Sequence, residues 1–310
     1  MEDIRTNDGL TVEEAPKKKR KNLAAVLIAV GVVLFLIGWL MGARGANIGW
    51  YNGRLRFIAA IGSEEIVIQE RVDDIRITAR SANIEFIAHS GSEVIVNLIG
   101  IEADVDVTGN ALVINAANNR SLGIINSVSP IIRVSLPYNH TIRADAQSSS
   151  GRIITNDLNF ENLNLRTSSG SIRLNNTVAG ADLNSSSGSI RLNRVLTHDM
   201  NINSSSGSIR LYDMSVTGTL SATSSSGSIR GEDIDMQLQS LMDLRSSSGS
   251  VTISLNNRDV LYSLSSRSGS QRVNGVRHHG RNTIDSSPNR SIPQVIIQTA
   301  SGSIRLNTSN

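Results

Sequence analysis

Residues 163–211 read LNLRTSSGSIRLNNTVAGADLNSSSGSIRLNRVLTHDMNINSSSGSIRL, and one pattern runs through them three times. Each copy centres on a Ser-Gly step, at Gly170, Gly188 and Gly207. Apolar residues stand five and seven positions before each glycine: Leu165 and Leu163, Leu183 and Ala181, Ile202 and Met200. Others stand two and four after it: Ile172 and Leu174, Ile190 and Leu192, Ile209 and Leu211. Apolar residues at alternate positions line one face of an extended strand. Each unit therefore reads as strand, Ser-Gly corner, strand, polar turn.

The same step recurs outward, at Gly151, Gly227, Gly249, Gly269 and Gly302, so that the whole series is spaced 19, 18, 19, 20, 22, 20 and 33 residues. A unit of ~20 residues cannot bury its own apolar face, so neighbouring units must stack. The sequence thus predicts an all-β fold, a single-stranded β-solenoid or β-helix-like stack of coils. Eight coils at ~4.8 Å per strand extend roughly 35–40 Å. A Ser/Gly-rich stretch otherwise reads as a disordered linker, but a linker has no reason to keep apolar columns. Serines suit a tight corner, where their hydroxyls bond backbone groups left unpaired, and the glycines are expected to supply unusual φ/ψ.

Residues 43–147 are strand-rich but less regular, as in EEIVIQ, DDIRITA, ANIEFIA and EVIVNLIG. Ile84 and Phe86 stand seven and five residues before Gly91, itself 60 before Gly151, a distance that fits three degenerate coils. Upstream, Leu23 to Gly42 (LAAVLIAVGVVLFLIGWLMG) is a run of 20 uncharged positions. As a helix rising ~1.5 Å per residue it spans the ~30 Å hydrocarbon core. Lys17, Lys18, Lys19, Arg20 and Lys21 abut its N-terminal side. The positive-inside bias puts the N-terminus in the cytoplasm and the C-terminal domain outside. A membrane span starting two residues after PKKKRK argues against reading that run as a nuclear signal. The 22-residue leader and long apolar run argue against a cleaved signal peptide. The expected organisation is a cytoplasmic tail (1–22), a transmembrane helix (23–42), an irregular membrane-proximal β region (43–147) and the Ser-Gly repeat solenoid (148–310), with a loop insertion at 274–293. The expected location is the cell membrane, single-pass.

Composition narrows the function. With no cysteine in 310 residues, disulfide scaffolds, thiolate zinc sites and Cys nucleophiles are excluded. Aromatic residues make up 3% of the chain, which leaves few stacking platforms and counts against lectin-like and nucleic-acid-binding readings. A serine nucleophile would be singular and need a positioned base, whereas these serines repeat. The acids scatter among turns, and no Ser-His-Asp set is suggested by spacing. No catalytic residue, metal or cofactor is expected.

Charge is uneven. The four lysines all lie in the first 22 residues, and 24 arginines follow. Residues 43–140 carry 8 arginines against 10 acids, whereas residues 141–310 carry 16 against 12. The third position after the repeat glycine is arginine in six coils: Arg173, Arg191, Arg210, Arg230, Arg272 and Arg305. Stacking would place these guanidinium groups in one column, and like charges on adjacent strands repel by ~0.2–1 kcal/mol per pair. Either the acids Asp157, Asp182, Asp199, Asp213, Asp233 and Asp243 compensate, or an external anion does. Arg forks suit phosphate and carboxylate. A second candidate lies in the loop insertion, with Arg277, His278, His279 and Arg281. Two adjacent histidines make a poor metal pair without a third ligand. That loop is expected to cover the open edge of the final coil.

The strand series from Ile66 to Phe86, the segment Ile131-Ile132-Arg133-Val134-Ser135-Leu136-Pro137 and the Ser-Gly-x-Ile repeats through Ile304 together resemble the bacterial "putative adhesin" or toastrack family. The resemblance implies a β-solenoid-like domain without known catalytic residues, associated with envelope-stress membrane systems. The leading expectation is a non-catalytic extracytoplasmic binding or sensing module of the cell envelope, acting with membrane-protein partners through helix 23–42. The alternative is an adhesin or cell-wall scaffold holding anionic polymer on its arginine column. A distant third is a polysaccharide-active β-helix enzyme.

Overall fold

The computed structural model of the chain describes residues 46–51, 54–59, 63–116, 120–121, 129–138, 140–278 and 292–309. The expected tail and transmembrane helix, together with His279 and Arg281, lie outside the described residues. Among the described residues every regular element is a β-strand. Twenty-one of the strands form one continuous sheet, and Ala46–Tyr51, Arg54–Ala59 and Arg120–Ser121 form a separate small one.

The central coils show how the repeat is wound. Strands Ile172–Ser185, Ile190–Ser204 and Ile209–Ser224 each run from one Ser-Gly corner to the next. Each turns twice on the way. Six residues after the glycine the chain takes a left-handed residue: Asp157, Asn176, Arg194, Asp213 or Asp233, with φ of 57°, 47°, 53°, 52° and 56°. Asp and Asn tolerate that conformation best. A few residues later the register shifts, between Val178 and Ala181 in one coil and between Thr197 and Asp199 in the next. The coil therefore has a post-corner face, a short middle face and a pre-corner face, each paired in parallel with its neighbours.

Alternation sends one residue in two into the interior. On the post-corner face Ile153, Ile172, Ile190, Ile209, Ile229, Val251 and Ile304 form a column no more than 1% exposed. Leu165, Leu183, Ile202, Ala222, Leu244 and Ile297 form its fully buried counterpart on the pre-corner face. Each large aliphatic side chain contributes up to about 1.5–3 kcal/mol of burial.

The corner glycines serve a different purpose from the expected one. None sits at positive φ; among the described glycines that conformation is confined to Gly100, Gly109 and Gly275. What requires glycine is stacking. A β-carbon on Gly170, Gly207 or Gly227 would fall 1.9–2.0 Å from the carbonyl oxygen of the glycine one coil earlier. The serine hydroxyls bond as expected, but only the third residue before the glycine is buried. Gly249 N–H donates to Ser246 Oγ (2.9 Å), which in turn donates to the Gly227 carbonyl (3.3 Å). Thr167 and Thr299 fill the same place in their coils.

Two expectations about coil order are corrected. The first coil turns at Ala82, whose carbonyl lies under Gly151, and not at Gly91. Ile84 and Phe86 follow that corner, in register with Ile153 and Thr155. The 60-residue interval is therefore not three coils. It holds a closing cap, in which Ile131–Pro137 lies parallel to Asn83–His89 and antiparallel to Val94–Ile99, itself antiparallel to Ser63–Ile68. On the pre-corner side Ala111–Ala116 covers Asp74–Ala79 and pairs with Asp104–Thr108.

At the other end the Gly302 coil is not last. Strand Gln294–Thr299 lies between Leu241–Ser246 and Leu261–Ser266, and Ile304–Asn307 lies between Val251–Leu255 and Gln271–Val273. The chain lays down the terminal coil, then doubles back and wedges its final coil beneath it. The terminal post-corner edge is covered by the antiparallel strand Val276–His278. The insertion thus does cover an open edge, through Val276–His278, but the edge is that of the Gly269 coil, because the Gly302 coil is intercalated.

Candidate anion-binding face

Following the pairings across the post-corner face connects one file of outward residues. From the cap it runs Glu65, Asn97, Arg133, Glu85, Ile154, Arg173, Arg191, Arg210 and Arg230. It continues through Thr252, Arg305, Arg272 and Arg277. All six repeat arginines expected from spacing therefore share one file. Intercalation brings Arg305 beside Arg272, and the hairpin adds Arg277 opposite Arg272. His278 faces Gln271 across the same hairpin.

The two ends of the file differ in how charge is handled. At the cap, Asn97 Nδ2 donates to Glu65 (2.8 Å), and Arg133 gives both Nε and Nη2 to Glu85 Oε2 (2.9 and 2.8 Å). Past Ile154 compensation is confined, among the described residues, to one arginine of the file. Arg230 donates through Nε to Glu232 on its own strand (2.6 Å). Arg173, Arg191, Arg210, Arg305 and Arg272 have no acidic partner among the described residues. Arg173 Nε is buried and lacks a hydrogen-bond partner. Burial, then the charges of Arg191 and Arg152, hold its pKa below the usual guanidinium value. At ~4.8 Å per rung, Arg173 to Arg230 is a run of about 14 Å.

The acids expected to neutralise the column do not reach it. Asp157, Asp213 and Asp233 occupy the left-handed bends. Asp182 and Asp243 point out from the pre-corner face, across the Ser-Gly corner, and Asp199 lies 3.8 Å from His198. On that opposite face Arg245 pairs with Asp243 at 2.7 Å and Arg166 with Asp145 at 3.8 Å. A shallow hollow of about 460 Å³ there is lined by amides and hydroxyls, including Gln147, Asn184 and Asn203. What sets the post-corner face apart is that its unpaired arginines stand on adjacent rungs of one file.

Spacing alone missed Glu232, Glu85 and Arg133. Glu232 was within reach, because alternation puts it on the same side of the strand as Arg230. The other two depend on locating the first corner at Ala82.

The family description Toastrack DUF4097 matches residues 72–307, from just ahead of the first coil to the final strand. The chain belongs to that family. No curated protein matches it. Among solved structures, this toastrack chain is similar to a "putative adhesin" from Bacteroides fragilis, at 12% identity over 80% of this chain and 97% of that one, with a TM-score of 0.44. A "putative lipid binding protein" from Parabacteroides distasonis shares 15% identity over 81% and 97%, with a TM-score of 0.42. A "putative cell adhesion protein" from Clostridium sporogenes shares 11% identity over 80% and 100%, with a TM-score of 0.28. At such identities and scores nothing about ligands transfers to this toastrack.

Proposed function

We propose that this protein is a non-catalytic binding module of the bacterial cell envelope whose arginine file holds a linear anionic polymer. Residues 23–42 anchor it in the membrane with the repeat domain outside, where membrane-protein partners meet the anchor and polymer meets the file. One observation carries the reading. The fold pairs Arg133, Arg166 and Arg245 with acids, yet leaves five of the six repeat arginines of one file without an acidic partner among the described residues. Mutual repulsion along such a file is offset when a polyanion lies across it. Arginine forks bind phosphate or carboxylate oxygens in pairs, and regular rungs suit a repeating ligand. Both features favour a polymer over a small solute.

The test is co-sedimentation of the full-length protein, in detergent, with purified cell walls across a salt series. Walls stripped of phosphate- and carboxylate-bearing polymers are the control. Pelleting should weaken steadily with salt, disappear with stripped walls and drop sharply in an Arg191→Gln/Arg210→Gln variant. Equal pelleting with stripped walls, or none at low salt, would remove the polymer surface.

A further inference from the structure

A second site, separate from the arginine file, lies where the left-handed bends meet the middle face. Tyr138, Asp157, Asn176, Val178, Arg194 and Leu196 surround a hollow of about 200 Å³ there. Its floor is apolar and open to solvent. Val178 and Leu196 are neighbours in register, yet 42% and 41% exposed. Tyr138 is 59% exposed at the rim, placed by its backbone N–H donating to the His89 carbonyl (3.0 Å). Asn176 Nδ2 donates to Asp157 Oδ1 (2.7 Å), giving a fixed carboxylate-amide pair on one side.

Arg194 is the anomaly. The left-handed position is Asp or Asn in the coils of Gly151, Gly170, Gly207 and Gly227, residues that adopt it at least cost. Arg194 adopts it at φ 53° without that advantage. Its guanidinium has no ion pair or hydrogen bond among the described residues, although Asp157 borders the same hollow. A local choice that costs stability and leaves a cation free marks a site selected for something other than folding.

We infer that this hollow binds one saccharide ring bearing a carboxylate. The hollow is smaller than the ~300–1,000 Å³ of drug-sized sites, so it admits a single ring. Tyr138 and the Val178–Leu196 floor suit the C–H face of a pyranose. Asp157 and Asn176 offer acceptor and donor to adjacent hydroxyls, and Arg194 takes the carboxylate through its fork.

Titration calorimetry of the full-length protein in detergent with methyl glucuronide, methyl glucoside and acetate tests this assignment. The glucuronide should bind at least about tenfold more tightly than the glucoside, as a charge-assisted bond predicts, and acetate should not bind detectably. Arg194→Asn should abolish the preference for glucuronide while raising the melting temperature, because Asn fits the bend better. Tyr138→Ala should weaken both sugars with the fold intact. Acetate binding as well as glucuronide, an unchanged preference in Arg194→Asn, or no glucuronide binding at millimolar concentration would each overturn the assignment.

Discussion

Gly188 lies so close beneath the Gly170 carbonyl that a β-carbon on it would sit 1.6 Å from the oxygen. Both partners are backbone held by parallel ladders on two faces, so neither can yield. Gly188→Ala should therefore cost several kcal/mol, beyond the ~0.5–3 kcal/mol of ordinary substitutions. Gly180 is the control, because its β-carbon would meet carbonyls at an unremarkable 3.5 Å. Gly180→Ala should stay within about 1 kcal/mol of wild type. Urea-unfolding midpoints of the two variants decide the matter, and equal losses would refute the stacking account.

Ser246 joins two coils through one hydroxyl. Ser246→Ala strands the buried Gly249 N–H and should cost about 1–3 kcal/mol. Ser246→Thr should be near neutral, since Thr167 supplies the same bond to Gly170 at 3.0 Å. Thermal unfolding of both variants checks this. A destabilising threonine would mean that volume, not the hydroxyl, governs the position.

Arg191 has Arg173 on one side and Arg210 on the other. Arg191→Gln removes two like-charge contacts and should stabilise the fold by about 0.5–1 kcal/mol at low salt. The gain should shrink towards zero by 1 M salt, where the Debye length is ~3 Å. Arg133→Gln should do the reverse, because it strands Glu85. Melting curves at low and high salt distinguish the two. A loss of stability in Arg191→Gln at low salt would show the column to be compensated after all.

Asp73 accepts from Arg71 Nε (2.8 Å) and Asn110 Nδ2 (2.7 Å), and these bonds hold its pKa below the usual carboxylate value. A folded pKa below the unfolded one means that the unfolded chain binds protons first as pH falls. The stabilisation is complete above the unfolded value of about 3.9 and is lost as pH drops through the lower folded value. Asp73→Asn should thus be less stable than wild type at neutral pH, with the two curves converging in acid. Urea midpoints between pH 7 and pH 2 supply the comparison, and parallel curves would contradict it.

How much of this is legible in sequence depends on the residue. The apolar columns are, because strand alternation and a near-constant period leave Leu165, Ile172 and their equivalents one buried arrangement. The arginine file follows from the same period. Ala82 is not legible as a corner, since it lacks the Ser-Gly signature. Its coil is covered by two separate strands, Ala111–Ala116 and Ile131–Pro137, instead of by another repeat. The order of the last coils is hidden for another reason. Every coil offers the same Ser-Gly surface, so nothing local states whether Gly249 stacks on Gly269 or on Gly302. The hollow at Tyr138 is assembled from residues up to 58 positions apart, and only the folded coil brings them together.

Intercalation also sets an order of events on the ribosome. Residues 261–273 emerge before residues 294–307, yet the later strands form the bed between the earlier ones and the rest of the stack. The guest is synthesised before its host. Growth by adding one coil after another therefore fails at this point, and the strand Leu241–Ser246 keeps a bare edge until the return segment arrives. A nascent chain interrupted there carries an open ladder along Leu241–Ser246, and the strand Gln294–Thr299 later covers it.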